Sequence, residues 1–408
     1  MKKKPSKSDD YLLDLFESKK PLIIYKAKNG FDVFTDFSEK IKLNNTNIDY
    51  FFKKLENNKN NKNTFSECYI GFFGYEILCN LIGIKIPKQK TNNFLKGIFY
   101  KPKKLIKIRK SVQIKRIVKY YKVFDDTSNN LQLGKNNTKF KVNLSLMQYT
   151  NIFNKFSRKI RKGETYQIKI CQKYKKKLNI NSVKFFWNLM QVNSAPESFL
   201  IRDRNYSIIS CSPETLIERK KNIIKTKPIA GTMRKNKSSN FNQARKYFNN
   251  NQKETKEHNM IVDMERNDLS KICIPGSVKI SKLKYIEEYK DLFHCVSEIS
   301  GKLDPKKSIK DIIQSMMPGG SVIGCPKINT LNLLNQQEKE NRNVYTGSFG
   351  YIKSNLDMRF NIIIRSILNY KGINEISAAS GVIIGSNAKK EYQENFIKAK
   401  SLLDLYSK

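Results

Sequence analysis

Apolar and polar residues follow two different periods along this chain, and the patterns are densest after residue 140. Apolar residues recur every three or four positions in several segments, which is the spacing of an amphipathic helix. The predicted helices span residues 146–161, 183–192, 253–269 and 389–406. Other segments alternate, or stay apolar over a few residues, and predict strands. The predicted strands span residues 104–123, 166–174, 206–211 and 225–234.

The order of these elements predicts a mixed α+β fold. Helices and strands do not alternate regularly, as they would in a doubly wound parallel sheet, and there is no internal repeat. Asn- and Lys-rich stretches at 54–63, 127–138 and 235–251 predict loops. A Gly-containing apolar segment at 71–78 reads as strand-like sequence in which two backbones approach closely.

The helix predicted over residues 253–269 carries acids on its apolar stripe. Glu257, Met260, Ile261, Met264 and Asp268 recur at helical spacing, so a carboxylate shares a face with core residues. A buried carboxylate without a partner costs several kcal/mol, roughly, so it is normally matched with a cation, a metal or a catalytic task. The alternative is a shallower helix on which Glu257 pairs with one of the many lysines.

The charge of the chain is strongly positive, at +42 for 408 residues. Nucleic-acid binding is one explanation for such an excess. However, the excess is overwhelmingly Lys and is spread along the whole chain with abundant Asn and Ile, which is typical of a solvated surface. We therefore expect no nucleic-acid partner, although a positive surface would attract a small anionic substrate.

Cysteine usage and hydropathy indicate a soluble, cytoplasmic protein. The seven cysteines are scattered without a CxxC pair, and an odd number without a framework suits a reducing compartment and argues against a zinc site. No stretch approaches the roughly 18 uninterrupted apolar residues of a spanning helix. Acids follow the basic N-terminus where a signal peptide would be apolar. We expect no membrane partner.

A glycine-rich segment, Met317–Lys327, lies between two helical patterns. Its glycines free the backbone to approach a ligand, and Pro326 suits the start of the helix that follows. Exposed N–H groups at that helix start would bind an anion. An ordinary turn between helices explains the same composition, and the segment does not match a Walker loop.

Residues 344–366 predict a hairpin of two apolar strands, and Arg365 ends the second of them. A guanidinium in that place would clamp a carboxylate with two hydrogen bonds, while a structural salt bridge is the alternative. The last helix carries Glu391 and Glu394 three residues apart in its first turns, where acids also favour the helix dipole. The only two histidines, His258 and His294, lie in or near these segments.

An ordered series of short motifs in these segments resembles the chorismate-utilising enzymes. This family includes the large subunits of anthranilate synthase and aminodeoxychorismate synthase, with isochorismate and salicylate synthases as more distant members. The motifs are SPE at 212–214, PIAGT at 228–232, KETKEHNMIVD at 253–263, RND at 266–268, FHCVS at 293–297, PGGSVIGCPK at 318–327, YTGSFGY at 345–351, IIIRS at 362–366 and EYQEN at 391–395.

The resemblance implies an anthranilate synthase component I-like α+β fold, with two facing, mostly antiparallel sheets and helices packed outside. Residues 1–140 would be the N-terminal region of that type and residues 141–408 the chorismate-binding catalytic region. It also implies that Glu257 and Glu394 bind Mg²⁺, with Glu391 close by, which suits a hard cation that prefers oxygen. Glu214 would be the general acid that protonates the departing hydroxyl, and His294 would lie near the reacting ring.

The remaining implied contacts are with the substrate. Arg365 and Tyr345 would bind the enolpyruvyl carboxylate, helped by backbone N–H groups near Gly381. The loop residues Gly319, Gly320 and Ser321 would line the pocket. Three further motif positions complete the predicted substrate set: Gln167, Thr232 and Lys327.

The nucleophile is expected to be ammonia. Isochorismate and salicylate synthases activate water with a lysine at the position that Gln167 occupies, and without that base water chemistry is disfavoured. The chain has no GxCxG nucleophile elbow to release ammonia from glutamine. The resemblance therefore implies a separate glutamine amidotransferase subunit as partner.

The position of amination on chorismate stays open between C4 and C2. The start YQI at Tyr166, the PGGS loop and RFNIIIRS resemble aminodeoxychorismate synthases, which we favour narrowly. Ala230 stands where many of those enzymes carry a nucleophilic lysine, and with the pair Glu257 and His258 it resembles anthranilate synthases.

Departures from the family pattern keep a third reading open. The family's AGAGIVADS is AASGVIIGS here, with Ala379 in place of a glycine and Gly385 in place of an aspartate. The methyl group of Ala379 would crowd a backbone contact to substrate. A degenerate paralogue that only binds is therefore the non-enzyme alternative. Four retained residues argue against it: Glu214, Glu257, Arg365 and Glu394.

Overall fold

The computed structural model describes residues 7–60, 64–65, 67–87, 94–128, 139–235, 239–289 and 292–407. Short apolar runs and helical stripes alternate irregularly through these residues. The helices in them are α1 (Lys7–Glu17), α2 (Ile48–Asn57), α3 (Tyr75–Leu81), α4 (Ser111–Ser128), α5 (Leu146–Arg161), α6 (Ser182–Val192), α7 (Phe241–Asn250), α8 (Gln252–Ser270), α9 (Ile309–Met316), α10 (Lys327–Gln337) and α11 (Ala388–Leu403).

Strands make up the rest of the regular structure that is described. They are β1 (Leu22–Ala27), β2 (Gly30–Lys42), β3 (Tyr69–Phe73), β4 (Gly97–Ile108), β5 (Lys141–Val142), β6 (Gln167–Lys177), β7 (Glu197–Asp203), β8 (Tyr206–Ser212), β9 (Thr215–Lys220), β10 (Ile223–Lys227), β11 (Ile229–Arg234), β12 (Lys279–Glu288), β13 (Leu292–Lys302), β14 (Gly324–Cys325), β15 (Ser348–Ile352), β16 (Met358–Asn361), β17 (Ser366–Tyr370) and β18 (Ile373–Val382).

The described strands form one continuous antiparallel sheet that folds over on itself. One half runs β6, β18, β17, β8, β7 and β1 by direct pairing. Strand β1 pairs with β2, and the second half continues through β4, β3, β15, β16, β9, β10 and β13. The halves face each other, because the rings of Phe199 on β7 and Phe349 on β15 stack 3.7 Å apart although those strands do not pair.

Helices cover the outer surfaces of both halves. The buried indole of Trp187 on α6 packs between Phe16 on α1 and Phe31 on β2, with ring centroids 6.0 and 4.8 Å away. On the second half, Ile312 and Met316 of α9 join a core of sheet residues such as Phe73. The expected α+β fold with facing antiparallel sheets and outer helices is confirmed, and pairing of β1 with β2 joins the two sheets.

Several predicted elements match closely. Helix α5 begins at a capping box, in which Ser145 Oγ accepts from Gln148 N and Gln148 Oε1 accepts from Ser145 N, and Gly163 follows its end with φ +75°. Helices 183–192, 253–269 and 389–406 are present as α6, α8 and α11, the last extended by a 3₁₀ turn. The hairpin predicted over 344–366 is β15 paired with β16.

Three local predictions were wrong. Of the strand predicted over 104–123, only the part up to Ile108 is strand, at the end of β4, and helix α4 follows from Ser111. The helix forms there because Ile117 and Tyr121 are buried at helical spacing. The loop predicted over 235–251 contains helix α7, which buries Ala244 and Phe248. Segment 71–78 is strand only over its first residues, and the rest is helix α3. The close backbone approach predicted there is present, because a Cβ on Gly71 would lie 2.0 Å from Ile98 O. The loop predicted at 127–138 lies mostly outside the described residues.

The division at residue 140 remains a prediction. Strands from both sides of it pair directly, as β1 does with β7 and β3 with β15. No helix in the described part of the chain is long and apolar enough to cross a membrane.

Candidate active site

A cavity of about 940 Å³ opens where the edge of the first half-sheet meets helices α8 and α11. Side chains from both sheet halves and both helices line it, so residues far apart in sequence converge there. Eight of the predicted site residues are among them: Glu214, Thr232, Glu257, His294, Ser321, Tyr345, Arg365 and Glu394. This convergence is the first structural support for treating these residues as one site.

Glu214 lies in the short link between β8 and β9 and is 4% exposed. Its Oε1 accepts a hydrogen bond of 2.8 Å from Ser321 Oγ, and its backbone oxygen accepts from Ile362 N. Burial raises the pKa of the Glu214 carboxyl to about 7, although the Ser321 hydrogen bond opposes the rise. A carboxyl that is partly protonated at neutral pH is suited to donate a proton.

Glu257 projects from α8 into the cavity and is held by two donors from β6. Gln167 Nε2 lies 2.7 Å and Lys169 Nζ 3.0 Å from Glu257 Oε1. Burial alone would raise the pKa of Glu257, but the Lys169 charge and the two hydrogen bonds lower it to about 2. The stripe of α8 therefore presents a fully ionised carboxylate to the cavity.

Gly381 explains how the two β6 side chains reach Glu257. It pairs with Lys169 across the β18–β6 register. A Cβ on Gly381 would lie 2.6 Å from Gln167 Nε2 and 3.1 Å from Lys169 Nζ. The glycine thus makes room for these donors, and its backbone is not part of the cavity lining.

Glu394 faces Glu257 from α11, whose N-cap Asn387 accepts from Lys390 N. Burial raises the pKa of Glu394 and the charge of Lys398, whose Nζ is 2.7 Å away, lowers it, with a net lowering. The charge of Glu257 acts in the opposite direction, so the two carboxylates repel across the cavity. Glu391, one helical turn earlier, is buried and does not line the cavity.

Glu257 and Glu394 are the residues of this cavity that could hold a divalent cation. No group of three or more His, Cys, Asp or Glu side chains in the described ranges is arranged as a metal centre. Mg²⁺, however, is commonly held by one or two carboxylates and completed by substrate and water. Two repelling carboxylates that line the same cavity match that pattern, with Lys169 and Lys398 as their present partners.

Arg365 is positioned by the backbone between β16 and β17, not at the end of a strand as predicted. Its φ of +50° turns it out of the sheet into the cavity. Among the described residues its guanidinium has no ion-pair or hydrogen-bond partner, whereas Arg359 and Arg342 are both bound to carboxylates. A guanidinium with free donors in a cavity is suited to bind an anion such as a carboxylate.

Tyr345 and His294 contribute polar groups on apolar rings. Burial raises the pKa of Tyr345, so its hydroxyl stays protonated. Burial and the charge of Arg365 lower the pKa of His294 to about 4, which leaves a neutral imidazole at pH 7. Its Nδ1 is 3.0 Å from Thr232 Oγ1. His258 has a structural role instead, because its ring nitrogens contact Ala230 O and Ser297 Oγ at 3.0 and 2.6 Å.

The other predicted site residues lie behind the cavity wall. Lys327 starts α10, and its Nζ is 2.5 Å from Asp268 Oδ2 and donates to Ser315 O. Added Cβ atoms on the two loop glycines, Gly319 and Gly320, would meet Ile362 and Met264 side chains within 2.7 Å. These three residues hold the loop from behind, whereas Ser321 and Val322 of the glycine-rich segment line the cavity.

Two functional features were not recognised from the sequence. No role was predicted for Lys169, although its position two residues after Gln167 on a strand places both side chains on one face. Glu265, on α8, is 1% exposed and bonded to Thr226 Oγ1. The deeply buried acids of the α8 stripe are therefore Glu265 and Asp268, while Glu257 is more accessible.

A family model described as chorismate binding enzyme matches residues 15–404. The chain belongs to this family. The chorismate binding enzyme family was the expectation from the motif series, and the match extends it over nearly the whole chain. The match also includes the N-terminal strands, in which motifs are sparse.

Individual relatives in the chorismate binding enzyme family carry two different names. Aminodeoxychorismate synthase component 1 of Bacillus subtilis is 34% identical over 252 residues, 62% of this chain and 54% of that protein. Anthranilate synthase component 1 1 of Haloarcula marismortui is 33% identical over 246 residues, 60% of this chain and 50% of that protein. The chain thus spans about half the length of the curated relatives that it matches.

Solved structures confirm the fold over a larger share. The crystal structure of anthranilate synthase component I from Streptococcus pneumoniae TIGR4 superposes with a TM-score of 0.71. The superposition covers 94% of this chain and 90% of that chain at 24% sequence identity. At that identity the likeness concerns the fold.

Proposed function

We propose that the protein catalyses Mg²⁺-dependent amination of chorismate with ammonia, giving 4-amino-4-deoxychorismate. One observation carries the proposal: a single cavity combines the buried acid Glu214, the facing carboxylates Glu257 and Glu394, and the guanidinium of Arg365, which has no hydrogen-bond or ion-pair partner in the described part of the chain. Family membership and relatives named for aminodeoxychorismate synthesis support chorismate as the substrate.

The charges of the cavity suit a dicarboxylate substrate. Arg365 would bind the enolpyruvyl carboxylate through two parallel hydrogen bonds, with the protonated hydroxyl of Tyr345 beside it. Mg²⁺ held by Glu257 and Glu394 would fix the ring carboxylate and stabilise the charge that develops as the hydroxyl leaves. The two carboxylates of the substrate would therefore bind to different cations, one to Arg365 and the other to Mg²⁺.

The acid step belongs to Glu214. As a C–N bond to ammonia forms at C4 and the C–O bond breaks, Glu214 would give its proton to the departing oxygen, which leaves as water. The new ammonium loses a proton and the Glu214 carboxyl is restored. A pKa near 7 makes both directions of this proton transfer accessible at neutral pH. The neutral ring of His294 would contact the substrate ring without adding charge beside Arg365.

The ammonia source is proposed to be a separate glutamine amidotransferase subunit. The names of relatives as component 1 of such synthases are consistent with a second component. The purified chain should use ammonium salt by itself and glutamine only poorly. Addition of the amidotransferase should raise glutamine-dependent turnover strongly, and equal use of glutamine by the isolated chain would refute the two-subunit arrangement.

Amination at C2, followed by loss of pyruvate to give anthranilate, is the second candidate. Ala230 lines the cavity and cannot form a covalent adduct with the substrate ring, and this favours amination at C2. The pair Glu257 and His258 also pointed to C2. It is weaker support now, because the His258 ring contacts Ala230 O and Ser297 Oγ and does not line the cavity. The geometry therefore leaves the narrow preference for C4 in place.

Product identity tests the proposal. The protein is incubated with chorismate, Mg²⁺ and ammonium salt, and the mixture is separated by chromatography. A product that yields 4-aminobenzoate only after the lyase is added supports C4 amination. Fluorescent anthranilate would support the second candidate, and absence of any product would favour a degenerate binding subunit.

A further inference from the structure

One cation already contacts a carboxylate that the proposed function assigns to Mg²⁺. The ammonium of Lys169 lies 3.0 Å from Glu257 Oε1, and this side chain is 11% exposed. It arises from β6, on the sheet wall of the cavity, while Glu257 arises from α8. The pair therefore bridges two elements across the place where the metal ion would lie.

Lys169 has little freedom to leave this position. Gln167 beside it on the strand donates to the same oxygen of Glu257, and the bare backbone of Gly381 gives both side chains their space. Lys398, the partner of Glu394, differs: it is on the same helix as Glu394, one turn away, and 38% exposed. It can turn into solvent at little cost, whereas the Lys169 charge stays at the cavity wall.

We propose that Lys169 is an internal cation that competes with the divalent ion for Glu257. The inference rests on the proposed function, which supplies the divalent ion. A metal ion on Glu257 must either displace the ammonium, which breaks the Lys169–Glu257 ion pair, or lie beside it, where two positive charges repel at close range. Both routes weaken metal binding. Once displaced, the ammonium remains in the cavity as a donor for an anionic substrate.

This competition predicts a specific affinity change in the protein without chorismate. Mn²⁺ serves as the probe because it takes the same oxygen ligands as Mg²⁺ and free Mn²⁺ is counted directly by electron paramagnetic resonance. Full-length Lys169→Met protein should bind Mn²⁺ at least about tenfold more tightly than the wild type. A factor of ten corresponds to about 1.4 kcal/mol, which is a small part of the opposition that a desolvated ammonium offers to a nearby cation. The gain should disappear in the double variant Lys169→Met, Glu257→Gln.

Lys175→Met is the matched control. Lys175 is on the same strand, pairs with Glu340 and Glu375, and does not line the cavity. Its loss removes the same formal charge, so its Mn²⁺ affinity should stay within about twofold of the wild type under the salt screening of the assay. Lys169→Arg, which keeps a positive charge, should show no gain.

Binding by Lys169→Met that is equal to or weaker than the wild type, including no detectable binding by either protein, would overturn the inference. Lys169→Gln carries the same test if the methionine variant does not fold. Chorismate turnover by the wild type is recorded separately. Turnover without a gain in Mn²⁺ affinity refutes the competition alone, and a gain without turnover refutes the proposed function alone.

Discussion

The hydroxyl of Ser321 donates a hydrogen bond of 2.8 Å to Oε1 of Glu214. The contact joins the glycine-rich loop to the link between β8 and β9, and both residues face the cavity. Because a hydroxyl donor favours the ionised acceptor, the bond lowers the pKa of Glu214 against the larger effect of burial, which raises it to about 7. Ser321 thus sets how much of the acid is protonated near neutral pH.

Ser321→Ala should change the pH profile of chorismate turnover. A reaction that needs protonated Glu214 loses rate as the pH rises through the pKa of that group. Without the hydrogen bond the pKa rises, so the falling limb of kcat/KM should move to a pH about one unit higher. The profile is measured at a fixed concentration of free ammonia, so that ammonium titration does not contribute. Ser321→Thr keeps the hydroxyl and should keep the wild-type limb; identical limbs for alanine and wild type would refute the role.

Arg365 should dominate substrate affinity. Its guanidinium has no partner among the described residues, so substrate would supply its counter-charge. Arg365→Gln should lower kcat/KM for chorismate by roughly 100-fold or more, the usual loss for a charge pair removed from a desolvated site. Arg365→Lys keeps the charge without the planar fork and should recover part of the loss. Steady-state kinetics measure both, and an unchanged KM in Arg365→Gln would contradict the assignment.

The buried acid Glu265 should make the protein less stable at high pH. Burial, helped by the charge of Glu214, raises its pKa from 4.5 to about 8. The folded protein therefore holds this proton more tightly than the unfolded chain, and the stability is present below about pH 4.5 and lost as the pH rises through 8. Glu265→Gln cannot titrate, so its free energy of unfolding relative to the wild type should improve by at least about 1 kcal/mol between pH 5 and pH 9.

Urea unfolding at the two pH values measures this difference. Asp263→Asn is the matched control for the loss of one carboxylate from the same helix, because the Asp263 side chain is 66% exposed. A pH-independent effect of Glu265→Gln would mean that Glu265 is ionised in the folded protein.

Gly381→Ala should disturb the contacts of Gln167 and Lys169 with Glu257. The added methyl would lie 2.6 Å from Gln167 Nε2, closer than non-bonded atoms approach. The Gln167 side chain must therefore move and give up its hydrogen bond to Glu257, and a buried donor left without its partner costs about 1–3 kcal/mol, so the thermal unfolding temperature should fall. Gln167→Ala in the same chain removes the clashing amide and should recover part of the loss. If the double variant is no more stable than Gly381→Ala, the clash is not with Gln167.

Local sequence signals predicted much of the fold. Helix α5 was predicted residue for residue, because its apolar spacing, its Ser145 cap and Gly163 after its end all act within a few positions. Helices α4 and α7 were not predicted, because each buries only a few residues at helical spacing. The β-branched residues of α4 favoured a strand, and the Asn residues of α7 favoured a loop. Which strands pair, such as β18 with β6, depends on contacts across the whole chain.

The candidate site was predicted unevenly for the same reason. Glu214, Glu257 and Arg365 stand in ordered motifs and lie in one cavity. The position of Lys169 against Glu257 depends on how β6 faces α8, which periodicity along one segment does not reveal. Lys327 was expected at the substrate because of its motif, and its ion pair with Asp268 behind the wall follows from helix packing.

Glu257→Gln gives the most direct test of the account that this cavity converts chorismate through a carboxylate-held metal ion. The substitution keeps the size of the side chain and removes its charge. Turnover of chorismate is compared in purified wild-type and variant protein, with Mg²⁺ and ammonium salt, after circular dichroism confirms equal folding. The account predicts that the variant loses at least about 100-fold in kcat, the range found when a group that stabilises transition-state charge is removed. Full turnover by Glu257→Gln would contradict it.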